Sequence, residues 1–178
     1  MMTKPNMSQL ALLLQESLQQ GHPTNLTVIS NSMMPLLQTG DQITLEPVQV
    51  SQLETGDIIT FAAEKHLFTH RFWALATSQD NTQLYTRGDH MLRFDPPVPA
   101  MNLVGRVSRR QRQTSTLDLT YGWGLRLNRH LAWLARLENW GLVGGIGNGR
   151  NSQPSLFKRL MHRGIYMWAW LFTKMIDR

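Results

Sequence analysis

The chemistry that this sequence could perform centres on Ser32, His70, Asp89 and Asp95. Ser32 lies in a short polar segment, residues 30–35, that ends in proline. A serine hydroxyl becomes a useful nucleophile only when a base within hydrogen-bond reach takes its proton. His70 can act as that base, and Asp89 or Asp95 can orient its imidazole and stabilise the charged form. These residue types predict a hydrolase with a Ser-His-Asp arrangement.

Each of these residues also has a purely structural interpretation. A serine before proline is often a turn residue, Asp89 beside a glycine is typical of a β-turn, and Asp95 could cap a loop. The joint pattern favours the catalytic interpretation, but it leaves open which aspartate faces His70. Lys65 is the alternative base. We discount it, because a residue five positions before His70 lies on the opposite face of a regular strand.

The first 112 residues predict one helix followed by a β-rich unit. Apolar residues at helical spacing, with Gly21 and Pro23 as a stop, indicate an amphipathic helix packed on the core; they are Met7, Leu10, Ala11, Leu14 and Leu18. Short runs rich in β-branched and aromatic residues then predict six strands, at 26–29, 42–46, 57–62, 67–76, 82–86 and 103–107. The segment 96–99, with three prolines, predicts a rigid connection.

The remainder, residues 113–178, predicts a basic helical extension. Apolar residues repeat at steps of three and four over 123–137 and 155–176, and the glycine-rich segment 144–149 predicts a hinge between the two helices. Residues 1–105 hold five Lys/Arg against nine Asp/Glu, a net charge of −4. Residues 106–178 hold thirteen against three, a net charge of +10. The sequence thus predicts a catalytic domain, 1–112, whose first 105 residues are acidic, and a basic helical extension, 113–178.

Residues 24–110 resemble the catalytic core of the signal peptidase I family. The matching segments are Ser32-Met33-Met34-Pro35, Thr39-Gly40-Asp41, residues 55–61, and Arg87-Gly88-Asp89 followed by Asp95. At the position of the base, this chain has His70-Arg71, which is similar to the archaeal and endoplasmic-reticulum members rather than to the lysine-dependent bacterial ones. The resemblance implies a mainly β fold, with the coiled β-sheet core that signal peptidases share with LexA-type proteases.

The resemblance also implies a function and an oxyanion site. It implies a serine endopeptidase that cuts an extended protein or peptide precursor after small residues. The Ser32 amide and the Ser30 hydroxyl would bind the oxyanion. No cofactor is expected, and the histidines show no metal-ligand spacing. The alternative function is a non-catalytic module that binds extended peptides by strand addition.

The composition limits the cellular compartment that the protein could occupy and the partners that it could bind. The chain has no cysteine, which excludes disulfides, thiolate metal sites and a cysteine nucleophile. No segment predicts a signal peptide or a transmembrane span, unlike in most signal peptidases, so we expect a cytoplasmic protein or one attached to the inner face of a membrane. The basic helices either bind an anionic membrane or pack on the core. We do not expect nucleic acid as a partner, because the single N-terminal helix leaves no room for a helix-turn-helix.

Overall fold

The computed structural model describes residues 7–64, 66–78, 81–139 and 156–176. These residues form three α-helices and eight β-strands. The helices are α1 (Met7–Gln19), α2 (Gly122–Asn139) and α3 (Leu156–Ile176). The strands are β1 (Thr24–Thr27), β2 (Gln42–Glu46), β3 (Ile58–Ala63), β4 (His66–Ser78), β5 (Asn81–Arg87), β6 (Val98–Pro99), β7 (Leu103–Arg112) and β8 (Ser115–Asp118). The prediction of a mainly β protein with an N-terminal helix and C-terminal helices is confirmed.

The strands form one antiparallel sheet, in the order β1-β2-β7-β3-β4-β5-β6, with β8 paired to β7. The central position of β7 joins the two halves of the sheet, because β7 pairs with β2 on one side and with β3 on the other. The two strands that flank the site, β4 and β5, pair along most of their length and shift register between Phe72 and Ala74. On its other side β4 pairs with β3 from His66 to Arg71, and this pairing holds His70, opposite Ile59, on a rigid element.

Side chains that alternate along the strands separate two apolar clusters on the two faces of the sheet. Ile58 and Ile59 are adjacent on β3, yet Ile58 belongs to the larger cluster and Ile59 to the smaller one. The same alternation operates on β4, where His70 is paired with Ile59 and Arg71 with Ile58. His70 and Arg71 therefore point to opposite faces of the sheet.

The larger cluster is covered by helices. α1 contributes Ala11 and Leu18, α2 contributes Leu127 and Leu131, and α3 contributes Ala169. Gly56 lies at a close approach of α2, since a Cβ on Gly56 would lie 2.9 Å from the Cβ of Ala132, and its φ of +106° also favours glycine. Both C-terminal helices thus share their buried faces with the core of the sheet.

Two strands were missed by the sequence prediction. β6 lies within the proline-rich segment that was predicted to be a connection, and β8 follows Arg112, where only helices were predicted. The predicted boundary at residue 112 falls in the turn between β7 and β8. The predicted glycine hinge at 144–149 lies outside the described residues. Among the helices that are described, none is both long enough and apolar enough to cross a membrane.

Candidate active site

Three of the predicted catalytic residues lie in one continuous chain of hydrogen bonds. Ser32 Oγ lies 2.9 Å from His70 Nε2, and His70 Nδ1 lies 2.7 Å from Asp95 Oδ2. Ser32 comes from the turn between β1 and β2, His70 from β4, and Asp95 from the segment between β5 and β6. His70 is buried and Ser32 is partly exposed, so the nucleophile faces solvent while the base is held inside. This geometry is that of a nucleophile, a base and an orienting carboxylate.

The carboxylate fixes the direction of every proton in this chain. An ionised Asp95 only accepts hydrogen bonds, so His70 Nδ1 carries the proton and the neutral ring presents Nε2 as an acceptor. The Ser32 hydroxyl must then donate to His70. Ser30 Oγ lies 3.2 Å from Ser32 Oγ, and it is the donor in that pair because the Ser32 proton is already used. The predicted oxyanion residue therefore lies beside the nucleophile.

Asp95 is held in place by a residue that the sequence analysis missed. Thr86 Oγ1 donates to Asp95 Oδ2 at 2.7 Å, and the Asp95 amide donates to the Thr86 carbonyl oxygen at 2.9 Å. Thr86 is fully buried at the end of β5. Its hydroxyl and carbonyl together lock the loop that carries Asp95, so Thr86 positions the carboxylate against His70. A threonine one position before the Arg-Gly-Asp segment was the only sequence signal.

Asp89 lies on the other side of the sheet from His70 and binds Arg71. Its two carboxylate oxygens accept from Arg71 Nε and Nη2, at 2.7 and 2.6 Å. The Arg71 side chain is fully buried, and it also donates to the Gly56 carbonyl oxygen and to Asn128 Oδ1 of α2. The sequence left open whether Asp89 or Asp95 faces His70, and the structure brings only Asp95 to the ring. Asp89 instead balances a buried cation and anchors α2.

Gly88 allows the chain to pass close to the nucleophile. A Cβ at this position would lie 2.7 Å from the Ser32 carbonyl oxygen and 3.2 Å from His70 Nε2, closer than a side chain tolerates. The following turn binds the same carbonyl, because the His90 amide donates to the Ser32 oxygen at 2.8 Å. The sequence identified Gly88-Asp89 as a turn and as part of one segment of the family resemblance, but it gave no role to the glycine itself. Its glycine is required by the close approach of this loop to Ser32.

α3 packs beside the serine turn. The Tyr166 hydroxyl lies 3.8 Å from the Met34 sulfur, and the Tyr166 ring lies 4.7 Å from the His90 ring. The His162 ring is 6.0 Å from that of His90. Partial desolvation and, as a second cause, the nearby His162 lower the pKa of His90. The buried face of α3 therefore contacts the two segments that flank Ser32.

The alternative base and a metal centre gain no support from the geometry. Lys65 lies outside the described residues, and the His70 ring lies within hydrogen-bond distance of Ser32 Oγ. Across the described part of the chain, no three His, Asp or Glu side chains are grouped so that they could hold a metal ion. The arrangement can activate a serine hydroxyl through an imidazole without a metal ligand set.

Comparisons with protein-family models and with curated proteins found no match for this chain. The case for function rests on the residues and their geometry.

Proposed function

We propose that this protein is a serine endopeptidase of the signal peptidase type, which cleaves an extended segment of a protein or peptide precursor. The observation that carries this proposal is the unbroken hydrogen-bonded chain from Ser32 through His70 to Asp95. A turn serine, a strand histidine and a loop aspartate from three separate parts of the chain align in this order. An acyl-transfer site needs this alignment.

The mechanism follows from the direction of the protons. Ser32 Oγ attacks the scissile carbonyl carbon while His70 Nε2 takes its proton, and Asp95 stabilises the imidazolium that forms. His70 then returns the proton to the leaving amine, and a water activated by the same nitrogen hydrolyses the acyl-enzyme. The Ser32 amide and the Ser30 hydroxyl stabilise the oxyanion, and each such donor is worth about 3 kcal/mol.

The same proposal includes the kind of β-sheet fold and the substrate preference. The antiparallel sheet, with a catalytic serine in a turn and its base on a strand, is consistent with the coiled sheet of signal peptidases and LexA-type proteases. From the resemblance to the histidine-dependent branch, the substrate would present small residues before the cut. A close fit of small side chains is compatible with the apolar surroundings of His70, whose ring contacts Phe61 and Phe68.

Cleavage of a peptide library by the full chain tests this function. We expect new peptide ends in the wild-type digest, enriched in alanine, glycine or serine on the acyl side, and none above background with the Ser32→Ala variant. Removing a serine nucleophile lowers turnover by about 10⁶-fold in enzymes of this class, so the two digests are distinguishable. New ends are identified and counted by mass spectrometry.

Two controls make this digest decisive. Ser51→Ala, at an exposed serine in the short helix Val50–Gln52, is expected to cleave as the wild type does. Ser32→Ala is expected to unfold at the same denaturant concentration as the wild type, since it removes one partly exposed hydroxyl. The same set of ends in the wild-type and Ser32→Ala digests, or no new ends at all, would refute the protease and favour the peptide-binding alternative.

A further inference from the structure

α3 has one face that is buried in the protein and an opposite, apolar face that is exposed. The buried face consists of His162, Ala169 and Thr173, with Ile165 and Tyr166 partly covered. The opposite face is directed to solvent, with Leu160 66% exposed and Met175 73% exposed. It also includes Met167, Trp168, Leu171 and Phe172. A helix on the surface of a water-soluble protein ordinarily turns a polar face outward.

The spacing makes this outer face continuous. Leu160, Gly164, Met167, Leu171 and Met175 follow one another at steps of three and four, so they form one stripe along the helix. Trp168 and Phe172 stack beside that stripe, with ring centroids 4.7 Å apart. The result is an apolar surface about four turns long, which we call the outer face of α3.

Two basic residues of α3, Arg163 and Lys174, lie along one edge of the outer face. The helix has four Lys/Arg and no Asp/Glu. Arg163, Trp170 and Lys174, at steps of seven and four, follow one flank of the helix, and Lys174 Nζ lies 4.7 Å from the Trp170 ring centroid. Basic residues and tryptophan at the border of an apolar face suit the headgroup zone of a membrane, which has negative charge outside and hydrocarbon inside.

α2 extends this surface. Trp168 packs against His130 of α2 with ring centroids 4.8 Å apart, and His130 packs against Trp133, which is 53% exposed. The other exposed side chains of α2 include three arginines: Arg126, Arg129 and Arg136. Both helices therefore combine exposed tryptophan with positive charge. α3 has no Asp or Glu of its own to neutralise these basic groups.

We infer that the outer face of α3, together with the exposed tryptophan and arginines of α2, binds the surface of an anionic lipid bilayer. The helices lie in the plane of the membrane, with the apolar stripe in the acyl boundary and Arg163 and Lys174 among the headgroups. Charge complementarity favours this occupant, since α3 has four Lys/Arg and no Asp/Glu, and the exposed side chains of α2 include three arginines.

This attachment would place the candidate active site at the membrane. The buried face of α3 contacts Met34, two residues after Ser32, and His90, whose amide donates to the Ser32 carbonyl oxygen. The serine turn is therefore separated from the bilayer by one helix, roughly 10 Å across. If the proposed function holds, precursors that lie at a membrane surface are the accessible substrates. The binding itself does not depend on catalysis.

Co-sedimentation of the full chain with vesicles tests the inference. We expect binding to phosphatidylcholine vesicles that contain phosphatidylglycerol, and weaker binding as salt increases or when the anionic lipid is omitted. Since each basic residue near such a surface adds affinity of about fivefold, R163Q/K174Q is expected to weaken binding by about 25-fold. L171Q/M175Q, on the apolar stripe, is expected to weaken it by at least about tenfold.

Matched exposed positions outside the two helices serve as controls. Met101→Gln, at a methionine that is 83% exposed, and Arg93→Gln, at an exposed arginine, are expected to bind as the wild type does. Ser32→Ala is also expected to bind normally, which separates a failure of this inference from a failure of the proposed function. Circular dichroism checks that each variant is folded.

Three results would overturn the inference. The first is no binding to anionic vesicles, and the second is normal binding by L171Q/M175Q. The third is a concentration-dependent dimer that these substitutions dissociate while vesicle binding stays absent, because the outer face would then cover a second copy of the chain.

Discussion

Asp95→Asn is expected to slow the reaction of Ser32 with a fluorophosphonate by about 10⁴-fold, the loss seen when the triad aspartate of a serine protease becomes asparagine. The asparagine amide can donate to His70 Nδ1, which moves the ring proton to Nε2. His70 then no longer accepts the Ser32 proton. The rate of phosphonylation, followed by intact mass, measures this loss without knowledge of the natural substrate.

Asp89→Asn is the matched variant for this measurement. Both substitutions remove one carboxylate within the same short segment, but Asp89 binds Arg71 on the opposite face of the sheet from His70. We expect folded Asp89→Asn protein to react within about tenfold of the wild-type rate, a loss no larger than one neutral hydrogen bond would produce. Equal losses in the two variants, or a larger loss in Asp89→Asn, would contradict the assignment of Asp95 as the orienting carboxylate.

Asp89→Asn is expected instead to lower the free energy of unfolding by about 3 kcal/mol, because it leaves a buried guanidinium without its counter-charge. The Arg71 side chain is fully buried, and that of Asp89 is only 10% exposed. Asparagine is nearly the same size as aspartate, so the loss reflects charge and hydrogen bonding rather than a cavity. Urea unfolding at neutral pH, with the free energy extrapolated to water, measures the effect.

Glu54→Gln is the control for an exposed ion pair. Glu54 binds Arg129 at 3.0 Å, and both side chains are mostly exposed, so its loss is expected to cost less than about 1 kcal/mol. This pair also links the sheet side of the molecule to α2, as the Arg71 bond to Asn128 does. If Asp89→Asn and Glu54→Gln unfolded at the same urea concentration, the buried pair would not be the anchor that we describe.

The strands could be predicted where their side chains alternate between buried and polar. They were missed where only the pairing with another strand defines them. β2 was predicted with both ends correct, because its isoleucine and leucine are buried and separated by polar residues. β7 continues five residues beyond the predicted end, since Ser108–Arg112 is polar and resembles a loop in composition. β8 is held by its pairing with that polar end of β7, and β6 by two residues opposite β5. A strand that is defined only by pairing with residues far away in the sequence has no local sequence pattern that would predict it.

The site was predictable in its residues but not in their pairing. Ser32 and His70 were identified from their types and spacing, and they meet at hydrogen-bond distance. The choice between the two aspartates depended on how the loop after β5 folds back on Thr86, which no spacing reveals. The alternation of side chains on β4 could have narrowed the choice between Asp89 and Asp95, because His70 and Arg71 face opposite sides of the sheet and each needs a carboxylate of its own.

For the outer face of α3, the residues could be recognised in the sequence but their burial could not. Its apolar and basic periodicity was visible in the sequence, but the sequence could not say which apolar residues the core would cover. Burial of Ala169 and Thr173 and exposure of Leu171 and Met175 distinguish the two faces. An apolar residue at helical spacing could lie on either face. Only the packed position of the helix distinguishes residues that contact the core from residues that are open to lipid.

The measurement that tests the central claim most directly is the position of the fluorophosphonate adduct on the wild-type chain. After brief exposure, the protein is digested and the modified residue is located by tandem mass spectrometry, with the exposed Ser51 as an internal reference. We predict one adduct per chain, on Ser32, and no adduct there in His70→Ala. An unmodified Ser32, or one that reacts no faster than Ser51, would contradict the account of Ser32 as a nucleophile activated by His70.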